Sequence, residues 1–81
     1  MSVNVRFYAR YAELMGTARL TMTVPAPATV RSLVALVRDV LPNASSLPEH
    51  PMIAVNERHA LPDHELAHGD VVAFLPPLAG G

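Results

Sequence analysis

Two stretches of this 81-residue chain carry residue types and spacings that could do chemistry. His64-Glu65-Leu66-Ala67-His68 spells H-E-x-x-H, which on a helix puts two imidazoles on one face to hold zinc, with the glutamate as general base. The second stretch is the closing Gly80-Gly81. A carboxylate is a poor acyl donor until one of its oxygens becomes a good leaving group, so a free C-terminal carboxylate is activated where another enzyme's site can surround it. Glycine has no Cβ, and two of them in a row can take unusual backbone angles and thread a channel too narrow for side chains. Residues 76–81 extended would reach ~20 Å, and Pro76 and Pro77 stiffen the root of that arm.

The zinc spelling loses its force in context. It sits between Pro62 and Gly69, with room for barely two turns, and no third ligand stands at a family spacing. The expectation is that Asp63 caps a single helical turn there. His50 and His59 read as solvated loop histidines, and Asp63, Glu65 and Asp70 as a loose acidic surface. With no cysteine in the chain, disulfides, thiolate metal sites and a cysteine nucleophile are excluded. Any sulfur chemistry must use another group.

Composition narrows the setting. At 8.7 kDa the chain has room for one core, and a deep enclosed cleft does not fit that length, so the function should involve a partner. Net charge is −1, and the six basic residues, all arginine, are scattered without the stripe that phosphate backbones require, which argues against nucleic acid as partner. Asn4 and Arg6 interrupt the apolar start, and no apolar run approaches the length of a membrane span, so no membrane partner is expected and the chain reads as cytoplasmic.

Positioning elements can be read from periodicity. Val3, Val5 and Phe7 alternate with Asn4, Arg6 and Tyr8, which marks a strand over about residues 2–8 with one face buried. Tyr11, Leu14 and Met15 stand at helical spacing before Gly16, a residue suited to ending a helical turn. Alternation returns from Arg19 to Val24, and Pro25 and Pro27 stop it. Thr29 is a good N-cap, and Val30, Leu33, Val34, Val37 and Leu41 then form an apolar stripe that ends before Pro42. Residues 43–51 read as a loop, Met52–Val55 as a short buried strand and Asn56-Glu57-Arg58 as a turn. Asp70-Val-Val-Ala-Phe-Leu75, after the turn pair Gly69-Asp70, is apolar on successive residues, which predicts a central strand covered on much of both faces. The sum is an α+β roll, one main helix on one face of a mixed four- to five-stranded sheet, and pairing the last strand beside the first would make it a β-grasp. Pattern alone permits other α+β orders.

Several segments together resemble the MoaD/ThiS family of ubiquitin-like sulfur carriers, on its molybdopterin synthase side. They are Val5-Arg6-Phe7-Tyr8-Ala9, the run from Ala12 to Thr17, Ala54-Val55-Asn56, and the closing run from Leu66 through Gly69-Asp70 and Phe74-Leu75-Pro76-Pro77 to Gly80-Gly81. The match spans essentially the whole chain, and its ends are its specific parts, because a terminal Gly-Gly alone would be weak. The resemblance implies a β-grasp domain over residues 1–75 and a flexible C-terminal tail over 76–81. It implies that an E1-like, MoeB-like adenylyltransferase uses ATP to adenylate Gly81, whose carboxylate becomes a thiocarboxylate, with Gly80 beside it. It implies a large, MoaE-like subunit that assembles with the carrier as a heterotetramer and passes the sulfur to a pyranopterin on the way to the molybdenum cofactor. On this reading the chain is a non-catalytic subunit of a transferase complex and binds no cofactor stably. Sulfur carriage for thiamine or cysteine synthesis, or protein modification through Gly81, remains open beside it.

The bland reading of the tail is an ordinary chain end that happens to hold two glycines. Against it stands the uninterrupted apolar strand running straight into it, in a chain read as ending at Gly81. Tyr8, on the outer side of the first strand, and Phe74, Leu75, Pro76, Pro77 and Leu78 beside the tail are the candidate partner-contact residues.

Overall fold

The computed structural model describes residues 1–77. In chain order it has β1 (Ser2–Phe7), α1 (Arg10–Met15), β2 (Arg19–Thr23), α2 (Val30–Val40), a 3₁₀ turn (Ala44–Ser46), β3 (Met52–Val55), β4 (Arg58–His59) and β5 (Val71–Leu75). The strands form one sheet in the order β2-β1-β5-β3-β4. β5 lies in the middle, parallel to β1 and antiparallel to β3, so the expected pairing of last strand beside first is present.

The main helix starts where its cap predicts. Thr29 accepts from the Ser32 backbone N–H at 3.2 Å while the Ser32 hydroxyl accepts from the Thr29 N–H at 2.9 Å, a reciprocal capping box. Leu41 is already extended, as suits the residue before Pro42. The helix buries Val30, Leu33, Val34 and Val37 in one core with Val3, Val5, Phe7, Ile53, Val55, Val72 and Phe74 from the sheet. α1 ends on Gly16 at φ 74, where the glycine N–H returns to the Ala12 carbonyl at 3.0 Å, and it sends Tyr11 into the same core.

Three expectations change. β5 is not covered on both faces: Val72 and Phe74 are buried, whereas Val71, Ala73 and Leu75 are half-exposed, because α2 lies on one face and no element of the described residues crosses the other. The turn after β3 is tighter than expected, since Asn56 and Glu57 both take positive φ, 51° and 69°, and return the chain as a two-residue hairpin loop, making Arg58 the first residue of β4. The expected helical turn behind Asp63 does not form. Asp63 instead pairs with Arg31, and the Pro62 and His64 carbonyls accept from Arg31 and Val30, the first N–H groups of α2, at 2.9 and 3.0 Å. Residues 62–66 therefore satisfy orphan donors at a helix start.

That backbone work also disposes of the zinc spelling. Glu65 forms an isolated bridge with Thr29, and His68 Nδ1 accepts the Ser2 N–H at 3.0 Å. Residues 64–68 are not helical, so the i, i+4 spacing no longer sets the two imidazoles on one face. Among the described residues no group of three or more potential ligands could hold a metal ion.

Candidate functional site

Strand parity decides which side chains face away from α2. On β1 the inward residues are Val3, Val5 and Phe7, so Asn4, Arg6 and Tyr8 point outward. Register carries the same face across the sheet: Arg6 lies opposite Ala73 of β5, and Ala73 opposite Ala54 of β3. The result is an open face with an apolar centre of Ala54, Val71, Ala73 and Leu75. A depression of about 460 Å³ occupies it, with Arg6, Tyr8, Asn56 and Glu57 at its rim.

One border of this depression is fixed by a polar clamp. The Asp70 carboxylate accepts the Ala67 backbone N–H at 2.8 Å and the Asn56 side-chain amide at 3.0 Å, and Asn56 Oδ1 in turn accepts the Val71 N–H at 2.9 Å. The clamp ties the β3–β4 turn to the start of β5, so two segments distant in sequence hold one rim. The backbone N–H of Ala67, then the Asn56 amide, favour the ionised carboxylate and lower the Asp70 pKa below the ordinary aspartate value. A carboxylate with a lowered folded pKa contributes stability that is complete above its unfolded value of about 4 and is lost as pH falls through the folded one. Asp70→Ala is accordingly expected to destabilise the fold at neutral pH by about 0.5–1 kcal/mol, the solvent-exposed bonds being screened, with the gap to the parent closing as the pH drops below about 4. Urea titrations across that window check it.

The candidate contact residues separate in the structure. Tyr8 is 43% exposed and Leu75 half-exposed on the open face, followed by half-buried Pro76 and exposed Pro77. Phe74 is 0% exposed and packs against Phe7 with ring centroids 5.2 Å apart and planes tilted by 45°. It is a core residue, and its assignment to a partner surface is corrected, because it shares the inward parity of Val72. Leu78, Gly80 and Gly81 lie outside the described residues. Sequence reasoning missed Arg6, Ala54, Val71 and Ala73, although Arg6 shares parity with Tyr8, and Val71 and Ala73 share it with Leu75.

Among the described residues the open face gathers Arg6, Tyr8, Asn56 and Glu57 around an apolar centre. It offers an apolar, shallow surface whose central strand ends at Leu75 and hands the chain to Pro76 and Pro77 at its margin.

The ThiS family model matches residues 5–81. The molybdopterin synthase sulfur carrier subunit of Escherichia coli (strain K12) is 34% identical over 82 residues, covering 98% of this chain and 99% of that protein. Among solved structures, SAMP1 from Haloferax volcanii is similar with a TM-score of 0.87 and 26% identity, covering 100% of both chains. A structure of the H. volcanii small archaeal modifier protein 1 gives a TM-score of 0.84 at 24% identity, covering 95% of this chain and 98% of that one. These likenesses establish the β-grasp fold.

Proposed function

We propose that this chain, which belongs to the ThiS family, works as the sulfur carrier subunit of a molybdopterin synthase. The observation that carries the reading is the near full-length match to a protein of that name, together with a family match that runs through Gly80 and Gly81. In the proposed sequence, the Gly81 carboxylate attacks the α-phosphorus of ATP in an E1-like, MoeB-like adenylyltransferase, which releases pyrophosphate and leaves an acyl adenylate. Sulfide then adds to the carbonyl and AMP leaves, which yields the thiocarboxylate. A large, MoaE-like subunit receives the loaded carrier in a heterotetramer, where the thiocarboxylate sulfur displaces an oxygen leaving group from a carbon of a pyranopterin precursor; water then cleaves the resulting thioester, which leaves the sulfur on the precursor and restores the Gly81 carboxylate. Each difficult exchange becomes two easier ones through a covalent intermediate.

The carrier's own residues supply delivery. β5 holds Leu75 at the margin of the open face, Pro76 and Pro77 set the direction of departure, and Gly80 and Gly81 offer no side chain to obstruct entry into a partner's channel. ATP is consumed by the activating enzyme, and the setting is cytoplasmic.

The test is the intact mass of the chain after incubation with ATP, an E1-like adenylyltransferase and sulfide. The expected gain equals replacement of one oxygen by sulfur and is absent when ATP is omitted. No gain with an enzyme shown active on another carrier would reject the reading. The names of the H. volcanii neighbours favour a second one, in which Gly81 forms an isopeptide bond with a target lysine. Having no lysine, this chain could not extend such a conjugate on its own side chains. A Gly81-dependent adduct on other proteins in cells, with no thiocarboxylate, would select it.

A further inference from the structure

Arg6 of β1 and Arg19 of β2 stand directly opposite one another on the open face. The Phe7 N–H donates to the Ala18 carbonyl at 3.0 Å, so the neighbouring Arg6–Arg19 pair occupies the non-hydrogen-bonded position, where facing side chains come closest. Like charges so placed cost stability. Among the described residues the one ion pair is Arg31–Asp63, so neither guanidinium has a carboxylate partner there, and Glu57 sits across the large depression out of ion-pair reach. With a net charge of −1, this is a local concentration of positive charge on a chain that is not basic.

The two arginines, with Asn4 and Thr21, line a groove of about 260 Å³. It runs into the larger depression, since both are lined by Arg6 and Val71. A cationic pair, an apolar strip and the root of the C-terminal segment therefore lie along one continuous surface. A free anion would use the groove alone. A protein partner that receives the C-terminal segment would lie over all three.

We propose that the open face docks a protein that places an aspartate or glutamate between Arg6 and Arg19 and an apolar side chain on Val71, Ala73 and Leu75. The proposal rests on the carrier reading and names the chemistry by which a partner recognises this carrier. Charge set beside an apolar patch steers encounter and fixes orientation, and its loss shows in affinity and in salt dependence. The intramolecular repulsion is the counterpart: the pair is unfavourable in the isolated chain and relieved in the complex.

Arg19→Glu separates these effects. It turns a repulsive cross-strand pair into an attractive one, so the melting temperature of the isolated chain is expected to hold or rise. Affinity for the partner is expected to fall at least about tenfold, with a flatter salt dependence. A purely structural role would move both readouts the same way. The probes are the large subunit and the adenylyltransferase encoded in the same genome, titrated by calorimetry at two salt concentrations, with Arg58→Glu, outside the groove, as the control. Arg19→Glu and Arg6→Glu binding both probes as the parent does would overturn the proposal and leave the carrier reading intact. Inorganic phosphate saturating the groove without weakening partner binding would overturn it in favour of an anion site. A parent chain that binds neither probe and gains no sulfur would reject the carrier reading, and this surface with it.

Discussion

Phe74→Ala is expected to leave much of the chain unfolded under conditions where the parent is native. The ring is completely buried, lies against Phe7 and sits opposite Ile53 in register, at the centre of the middle strand. Removing a buried phenylalanine costs about 3–5 kcal/mol in lost transfer energy and cavity. A chain this short has a total stability of ~4–12 kcal/mol, so one substitution consumes a large share of it. Far-ultraviolet circular dichroism during urea titration reads the loss directly. Leu75→Ala, one residue on, supplies the contrast: its side chain is half-exposed on the other face, and about 1 kcal/mol or less is expected. If the two substitutions cost the same, the assignment of inner and outer faces on β5 is wrong.

Gly80→Val is expected to leave the melting temperature unchanged while slowing sulfur loading by about 100-fold. The core assembled among the described residues ends at Phe74, six positions before Gly80. What the substitution changes is passage. A β-branched side chain restricts its own backbone and adds bulk where an activating enzyme must bring a carbonyl carbon and an attacking atom into line. Deleting Gly81 goes further, since the new terminal carboxylate falls about 3.5 Å short of the reacting position, and no loading is expected. Initial rates of thiocarboxylate formation by intact mass measure both. Loading of Gly80→Val at the parental rate would show that the channel tolerates side chains and that glycine matters there for some other reason.

Much of the architecture could be read from period and caps, because each of those signals is local. The alternation of Val3, Val5 and Phe7 marked β1, and Thr29 ahead of a regular stripe marked α2, in agreement with the structure. What escaped was non-local. Five apolar residues in a row look the same whether one face of a strand is covered or two, so the open side of β5 appears only once α2 is placed. The inward direction of Phe74 depends on its pairing with Phe7 in a parallel ladder, a register that no local pattern encodes. Arg6 and Arg19 are thirteen positions apart and become neighbours only through the β1–β2 register. Asn56 and Asp70 belong to segments that carried the family resemblance, and both turn out to brace the frame around the open face. The H-E-x-x-H spelling misleads for a related reason: a motif presupposes a backbone, and here the stretch is not helical and its His64 carbonyl is engaged in holding α2.

The central place of β5 also has a mechanical meaning. A partner that grips the chain beyond Pro77 and draws on it pulls along the strand axis, and β5 is bonded on one side to parallel β1 and on the other to antiparallel β3. Such a load falls on both ladders in shear, across many hydrogen bonds at once, whereas peeling would break them one at a time. Hauled by its C-terminal segment from one enzyme to the next, the domain should yield last at the strand by which it is held.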